Sequence, residues 1–347
     1  MPLGRGLEPD DPGGDPGKIM GGGAVIFSPS EVLPIAESTG FRAEMIEKVL
    51  HLLNLLDKLN RHPMLKGKWV LKGGTALNLF IFDLPRLSVD IDLNYVGALE
   101  REAMLADRPK VEQAAQAVFS REGFTTKRTP TEHAGGKWRL SYQSYTGQSG
   151  NLEVDMNFMF RLPLWDIQPA DSHALGDFQA RNIALPDVHE LAAGKLTALL
   201  ARGQARDLFD CHRMLTMKGI DRDRLRLAFV VYGGMNRKDW RTVSIADVEF
   251  DPDEVARLLI PTLNRRFMEK QSPSAEYGKR LVKECQEKLE AVLPFSAPER
   301  EFLDLLLEKG EIDASALTRD KVLQERIQSQ PLFQWKALNV KRHKGLD

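Results

Sequence analysis

Residues 69–94 constrain the fold of this chain more than any other stretch, because the apolar pattern changes from strand to helix and back. Trp69 to Leu71 are apolar and are followed by Gly73-Gly74, which predicts a short strand ending in a tight turn. From Thr75 to about Phe82 apolar residues recur at helical spacing. A second strand follows, so the stretch predicts a strand–turn–helix–strand unit within an α/β fold.

The second strand carries two carboxylates on one face. Residues two apart on a strand point the same way, so Asp90 and Asp92 lie on one side, about 7 Å apart. At an effective dielectric near 20 their repulsion costs about 2 kcal/mol, which a bound cation would offset. Mg²⁺ is commonly held by one or two carboxylates and substrate phosphates. A solvent-exposed strand face is the alternative interpretation.

The glycine pair adds a second signal. Gly73 and Gly74 let the backbone approach a ligand closely, and the start of a helix favours a phosphate. A plain strand-to-helix turn also uses glycine, so the pair alone is weak. The order strand, Gly-Gly, helix and D-x-D strand is more specific and indicates metal-dependent chemistry on a nucleotide phosphate.

The string K-G-G-T-A-L-N-L…R-L-S-V-D-I-D-L resembles the AbiEii/AbiGii toxin family, within the DNA polymerase β-type nucleotidyltransferase superfamily. The fifteen residues between Gly74 and Asp90 make a longer spacer than is usual in that superfamily. The R-x-S-x-D-x-D form, with Arg86 and Ser88, fits the toxin branch better than the polymerases. The resemblance implies an α/β (α+β) core with a small mixed sheet flanked by helices, followed by a mostly helical C-terminal region.

A predicted hairpin supplies candidates for a third carboxylate. Residues 137–145 alternate, 147–150 form a turn, and 151–160 return as a strand with Glu153 and Asp155 on one face. The resemblance implies a third carboxylate that completes the metal site with Asp90 and Asp92 and accepts the proton of the attacking hydroxyl. The V-D-M-N pattern favours Asp155, and Glu153 is the alternative.

A helix near the middle of the chain carries a lysine among apolar residues. Asp187 and Glu190 predict a capping box, and Gly203 ends the helix. Lys195 either binds the nucleotide triphosphate or extends its ammonium into water along an apolar surface. The pattern K-x6-R-x3-R-D-x2-D again resembles the AbiEii family, which implies phosphate binding by Lys195. It also implies an ordering role for Asp207 or Asp210, which the sequence does not separate.

Together the resemblance implies transfer of a nucleotide from an NTP to an acceptor hydroxyl, for example the tRNA 3′ end, with Mg²⁺ (two ions) as cofactor. A separately encoded antitoxin is the expected partner. The implied catalytic residues are Asp90, Asp92, Asp155, Lys195, Asp207 and Asp210, of which Asp90, Asp92 and Asp155 bind metal. The implied nucleotide-binding residues are Gly73, Gly74, Thr75, Arg86, Ser88, Lys195, Arg202 and Arg206.

Two other functions remain open. The first is a nucleotidyltransferase that modifies a small molecule, as antibiotic-modifying enzymes do, and the second is a non-catalytic nucleotide-binding partner module. Basic and aromatic residues clustered in the C-terminal half favour an RNA acceptor. These clusters are Tyr232, Arg237, Lys238, Trp240 and Arg241; Arg265, Arg266 and Phe267; and Trp335, Lys336, Lys341, Arg342 and Lys344.

Length and composition set the remaining expectations. The net charge of −1 means that a nucleic-acid contact must come from a local patch. Two cysteines, and no apolar run of transmembrane length, predict a cytoplasmic protein without a membrane segment. We expect a disordered tail over 1–24, with Met20 as a possible start. A nucleotidyltransferase core over 25–165, a helical domain over 166–270 and a C-terminal helical region over 271–347 follow.

Overall fold

The computed structural model describes residues 25–130, 134–270 and 274–345. The predictions of a disordered tail and of a start at Met20 lie outside these residues. No helix in the described ranges is both long and apolar enough to cross a membrane.

A five-stranded mixed sheet forms the centre of the molecule. The strands are β1 (Trp69–Lys72), β2 (Asp90–Tyr95), β3 (Thr125–Arg128), β4 (Gly135–Gln143) and β5 (Ser149–Asn157). Their spatial order is β1-β2-β5-β4-β3, and only the β2–β5 pair is parallel. The two predicted carboxylate strands are therefore neighbours, and the predicted α/β class with a small mixed sheet is confirmed.

One face of the sheet is apolar and packs against two helices. Ile91 and Leu93 on β2 are buried, as the alternation predicted, and they align with Val154 and Met156 on β5. The two helices are α2 (Ala43–Arg61) and α4 (Arg101–Arg121), and α1 (Pro29–Thr39) packs against α2. The contact of Phe119 on α4 with Trp138 on β4 places α4 on the apolar face. The opposite face of the sheet is therefore left to the polar side chains.

The predicted strand–turn–helix–strand unit is present, with an earlier helix start. Helix α3 (Gly73–Ala76) begins directly after β1, and a π-helical turn (Leu77–Ile81) continues it. Gly73 has φ +73°, so the chain turns from strand to helix at that residue, without the separate turn that we expected before Thr75.

The rest of the chain is mostly helical, as expected. The segment 163–185 contains a small hairpin of β6 (Gln168–Ala170) and β7 (Ile183–Leu185). Around Pro261 the chain forms a π turn (Val255–Leu259) and a 3₁₀ turn (Ile260–Thr262). The helices are α5 (Val188–Arg202), α6 (Ala205–Thr216), α7 (Arg222–Gly234), α8 (Pro252–Glu254), α9 (Arg265–Met268), α10 (Ser274–Lys288), α11 (Ala297–Asp304), α12 (Lys321–Gln328) and α13 (Pro331–Lys344). The division into domains stays a prediction.

Candidate active site

Charged side chains form two rows across the polar face of the sheet. The first row, from β1 to β4, consists of the register partners Lys72, Asp92, Asp155 and Lys137. The second row, from β2 to β3, consists of Asp90, Glu153, Arg139 and Arg128. Neighbouring strands are about 4.8 Å apart, so Asp92 and Asp155 are adjacent acids with a lysine position on either side.

A cleft of about 480 Å³ separates the first row from helix α5. Lys72, Gly73, Asp92 and Asp155 line its sheet side, and Lys195 on α5 lines the other side. The cleft thus joins Asp92, Asp155, Lys195 and the glycine turn, which the sequence assigned to one site, and adds Lys72 to them.

Both glycines are required by close contacts within the protein. A Cβ at Gly73 would lie 2.3 Å from Asp92 Oδ2, and one at Gly74 would lie 2.8 Å from Arg86 Nη2. The glycine turn therefore lets the β2 carboxylate and a buried guanidinium approach the start of α3. Sequence reasoning attributed the glycines to approach of a ligand and did not anticipate these contacts.

The predicted third carboxylate differs from its alternative in position. Asp155 lines the cleft, whereas Glu153 accepts a hydrogen bond from Lys137 Nζ at 2.8 Å. That hydrogen bond is the largest influence on Glu153 and lowers its pKa, although burial opposes it. The geometry therefore favours Asp155 as the acid facing a substrate.

Asp90 belongs to the second row and lies near an arginine of α6. Its Oδ2 lies 3.8 Å from Arg206 Nη1. Burial and the Asp92 carboxylate raise the pKa of Asp90, while Lys48 and Arg206 oppose the increase. Arg206 thus contacts a predicted metal ligand in this structure.

Three converging carboxylates, as the sequence predicted, are not found. Within the described ranges no group of three or more Asp, Glu, His or Cys residues is arranged to hold a metal ion. The reason is the separation of Asp90, which belongs to the second row and faces Arg206. Asp92 and Asp155 still fit Mg²⁺ as a donor set, since this ion needs only one or two carboxylates beside substrate phosphates.

Lys195 belongs to a buried ion network. Its Nζ lies 2.7 Å from Asp207 Oδ1 and 3.0 Å from Asp210 Oδ2. Burial lowers the Lys195 pKa, but Asp210 and Asp207 outweigh that effect and the pKa is raised. The ammonium therefore stays charged while reaching the cleft. Neither interpretation of Lys195 from the sequence, phosphate binding or an ammonium extended into water, included this pairing with Asp207 and Asp210.

The network gives Asp207 and Asp210 different partners, although the sequence could not distinguish their roles. Asp207 Oδ2 accepts from Arg202 Nε at 2.8 Å. Asp210 accepts from Arg86 Nε at 2.8 Å and from Arg86 Nη2 at 2.6 Å. Burial raises the Asp210 pKa, but Arg86 and Lys195 hold it at about 2. Both aspartates are buried and act on the cleft through Lys195.

Three residues that the resemblance assigned to nucleotide binding are buried instead. Arg86 is 2 % exposed, and its third nitrogen, Nη1, donates to the Leu87 carbonyl oxygen. Thr75 and Ser88 are also buried, and Thr75 Oγ1 lies 2.5 Å from the Asp90 carbonyl oxygen. The polar atoms of Thr75 and Arg86 support Asp90 and Asp210 in this structure, and the assignment of the three residues to nucleotide binding stays a prediction.

The predicted capping box on α5 is also wrong. Asp187 caps the helix by accepting from His189 N at 2.9 Å. Glu190 instead accepts from Leu164 N at 2.8 Å and from the Tyr232 hydroxyl at 3.0 Å. Burial raises the Glu190 pKa to about 7. The capping-box pattern requires only that an acidic residue follows the cap by three positions. It does not determine whether the Glu190 side chain turns toward the cap or toward other parts of the protein.

Sequence reasoning missed several residues of the site. Lys72 ends β1 directly before the glycine turn, and its place in the K-G-G-T string was the available signal. Lys48 approaches Asp90 and Glu153 from α2, and Tyr232 lines the cleft from α7. These two come from distant segments, so no local pattern could have identified them.

Two of the basic-aromatic clusters have structural roles. Trp240 is fully buried, and Arg241 contacts Asp239, Asp304 and Glu308. Lys336 Nζ donates to the backbone carbonyl oxygens of Gly234 and Asn236, each at 2.7 Å. These side chains are engaged within the protein, so they do not support the predicted RNA contact.

Comparison with known proteins agrees with this geometry. The sequence matches the AbiEii family, described as nucleotidyl transferase AbiEii toxin, type IV TA system, over residues 54–296. No protein with a curated function matches the sequence. The fold is similar to that of MenT4, a nucleotidyltransferase toxin from Mycobacterium tuberculosis H37Rv, with a TM-score of 0.58 and 16 % identity over 85 % of this chain and 97 % of that one. The family match covers more than half of the sequence, and the chain belongs to the AbiEii family of nucleotidyltransferase toxins of type IV toxin–antitoxin systems.

Proposed function

We propose that this nucleotidyltransferase toxin transfers a nucleotide from an NTP to a hydroxyl group of RNA, with the tRNA 3′ end as the first candidate. The observation that carries the proposal is the in-register pair Asp92–Asp155, which faces Lys195 across the cleft. Acids beside lysines provide for both a cation and the phosphates that it neutralises. The antitoxin is expected to be a separate chain.

In the proposed mechanism the cleft positions the triphosphate for in-line displacement at the α-phosphorus. Lys195 and the Gly73-Gly74 turn bind the β- and γ-phosphates, and Lys72 adds a second cation at the sheet side. The acceptor oxygen forms a bond to the α-phosphorus as the bond from the α-phosphorus to the α,β-bridging oxygen breaks and pyrophosphate leaves. Asp155 accepts the proton of the attacking hydroxyl, while Asp92 lies beside it in the first row. Such chemistry depends on positioning and on charge stabilisation rather than on a covalent intermediate.

The residues proposed to hold Mg²⁺ are Asp92 and Asp155, with Asp90 as a third acid once its side chain leaves Arg206. When bound, Mg²⁺ supplies the positive charge that stabilises the attacking and leaving oxygens. Asp207 and Asp210 do not contact the nucleotide in this proposal, because they fix the charged end of Lys195. Arg202 pairs with Asp207 and lines the cleft, so it remains a proposed nucleotide-binding residue.

The second row favours RNA over a small acceptor. Arg139 and Arg128 are exposed register partners on β4 and β3, and they continue the row that begins at Asp90. Lys48 lies beside the acidic part of that row. In a chain with a net charge of −1, this run of cations from the acids to the sheet edge is a local path for a phosphate backbone.

The test measures transfer from each α-³²P NTP to total tRNA in the presence of Mg²⁺, with small aminoglycosides as competing acceptors. We expect labelled tRNA with wild type, and at least a tenfold slower reaction with Arg139→Glu at unchanged NTP affinity. Arg319→Glu, an exposed arginine of the C-terminal region, is the matched control and should behave as wild type. Label on the aminoglycosides alone would refute the RNA acceptor, and equal rates of tRNA labelling for Arg139→Glu and wild type would refute the second row as the path for its phosphate backbone.

A further inference from the structure

The cleft has a second half that the phosphate chemistry does not use. Beyond the lysines, its walls are Phe160, Pro186 and Tyr232. The Phe160 and Tyr232 rings are stacked, with centroids 5.7 Å apart and an interplanar angle of 22°. An aromatic wall beside a phosphate-binding region suits a flat apolar ring joined to a charged tail.

The carboxamide oxygen of Asn94 is a polar atom of this half that lacks a partner within the described residues. Asn94 lies on β2 two residues after Asp92, lines the cleft and is 5 % exposed. Its carboxamide oxygen has no hydrogen-bond partner in the described part of the chain. An unsatisfied buried acceptor is costly, so such a group usually has a role that the protein alone does not reveal.

The register partner of Asn94 shows the contrast. Asn157 lies opposite Asn94 on β5. Its Oδ1 accepts from Met159 N at 2.7 Å and from Phe160 N at 3.2 Å. The Asn157 carboxamide is thus used to shape the turn that carries Phe160, while the adjacent Asn94 oxygen is buried and has no hydrogen-bond partner in the described part of the chain.

The other polar groups of this half are committed within the protein. Glu190 accepts from Leu164 N, Trp165 N and the Tyr232 hydroxyl. These bonds fix the Tyr232 ring in the wall of the cleft. Glu190 therefore fixes the position of the Tyr232 ring, and the Asn94 carboxamide oxygen is the acceptor for which no hydrogen bond is found in the described residues.

We infer that this half of the cleft binds the base of the donor NTP and that Asn94 selects the base by a hydrogen bond from its edge. The inference rests on the proposed function, because it assumes that the triphosphate lies between Asp92 and Lys195. Asn94 is about 7 Å further along the strand than Asp92, which leaves room for a ribose between the α-phosphate and the base. Stacking on Phe160 and Tyr232 would add affinity without discrimination, because every base has a π face.

Asn94→Asp changes the hydrogen-bonding character at almost constant volume. An asparagine carboxamide pairs with a neighbouring donor and acceptor, as on adenine, whereas a carboxylate only accepts. Asn94→Asp should therefore move the preference toward guanine, whose N1–H and N2–H₂ are adjacent donors. Asn157→Asp is the matched control, because a carboxylate there still accepts from Met159 N and Phe160 N.

The experiment titrates the full chain with the four α,β-methylene NTPs and Mg²⁺ in a calorimeter. We expect wild type to bind the analogue of one base more tightly than the other three. Asn94→Asp should change the ratio of the dissociation constants for different bases by about tenfold or more, whereas Asn157→Asp should leave that ratio unchanged. Phe160→Ala should weaken all four ligands, by about tenfold, without changing their ratio. Equal affinity of wild type for all four, or an unchanged ratio in Asn94→Asp, would overturn the inference.

The readout separates this inference from the proposed function. These analogues bind without transfer, so base selection is measured without any acceptor. Wild type that binds the analogues selectively but labels no RNA would contradict the proposed acceptor and still support the role of Asn94. Wild type that labels RNA while the Asn94→Asp ratio stays unchanged would contradict only the role of Asn94.

Discussion

Asp92 and Asp155 are register partners on parallel strands β2 and β5, and each lies beside a lysine position on the outer neighbouring strand. The arrangement places a pair of acids at the centre of a charged row that faces a cleft. Glu153 and Asp90 form the equivalent pair one step along the strands, but Glu153 is bound by Lys137 and Asp90 lies near Arg206. Both rows therefore contain a pair of acids. They differ because Asp92 and Asp155 line the cleft, whereas Asp90 and Glu153 are close to basic side chains.

The first prediction distinguishes the two candidate third acids. Asp155→Asn should slow nucleotidyl transfer by roughly a thousandfold, because it removes a charge that is proposed to act at the reacting centre. Glu153→Gln should slow it by less than about tenfold, since Glu153 is paired with Lys137 on the sheet. Initial rates with saturating NTP measure both effects. If Glu153→Gln were the slower variant, the assignment would be reversed.

The second prediction concerns Gly73, whose place next to Asp92 makes it a positioning residue. Gly73→Ala adds a methyl group 2.3 Å from Asp92 Oδ2 at a residue with φ +73°. Gly67 has the same φ and nothing within 4 Å of an added Cβ, so Gly67→Ala is the matched control. Both variants should lose about 1 kcal/mol of stability from the positive φ. Only Gly73→Ala should also lose transfer activity, by a hundredfold or more.

Urea unfolding gives the stability of the two glycine variants, and transfer rates give their activity. Comparable activity losses in both would show that the backbone conformation matters at each site. The Asp92 contact would then have no special role.

The sequence predicted the parts of the site that are local in the chain. The alternation of apolar and polar residues in β2 predicted that Asp90 and Asp92 lie on the same face. The Gly73-Gly74 pair predicted the change from strand to helix after β1. The resemblance, rather than periodicity, indicated Asp155 as a partner. Pairing of β2 with β5 is set by the whole sheet, so the register of Asp92 with Asp155 could not be derived from either strand.

The burial of two residues of the predicted site could not be read from the sequence. Arg86 and Thr75 lie within motifs that suggest ligand binding, yet tertiary packing buries both. A motif records which side chains are needed near a site, without recording whether they face the ligand or support those that do. Lys48 and Tyr232 show the converse, since they reach the site from segments with no motif of their own.

The third prediction separates the structural and phosphate-binding roles of lysine. Lys195→Met leaves Asp207 and Asp210 with one cation fewer in a buried site, so it should lower the free energy of unfolding by about 3 kcal/mol. Lys72→Met is the matched control in the same cleft and should change stability by less than about 1 kcal/mol. Both should weaken NTP binding. Full stability of Lys195→Met in urea would contradict the buried network described here.

The fourth prediction uses the pH dependence of Glu190. Its pKa is raised to about 7 by burial, against an ordinary value of 4.5. The folded protein therefore holds a proton that the unfolded chain releases between these values, and stability falls as the pH rises from 4.5 to 7. The resulting loss in the free energy of unfolding is about 3 kcal/mol for this buried group. The nearby Asp187 carboxylate also raises the Glu190 pKa and so adds to the effect of burial.

Glu190→Gln cannot release that proton, so the stability difference between wild type and Glu190→Gln should shift against wild type by about 3 kcal/mol between pH 4.5 and pH 8. Glu153→Gln is a control of opposite sign, because the lowered pKa of Glu153 gives a stabilisation that is present above pH 4.5 and lost in acid. Urea unfolding up to pH 8 measures both differences when the range starts well below pH 4.5, where the Glu153 stabilisation is lost. Parallel pH profiles for wild type and Glu190→Gln would mean that Glu190 is already ionised at pH 5. Its hydrogen bonds to Leu164 N, Trp165 N and the Tyr232 hydroxyl would then stabilise the carboxylate more strongly than burial destabilises it.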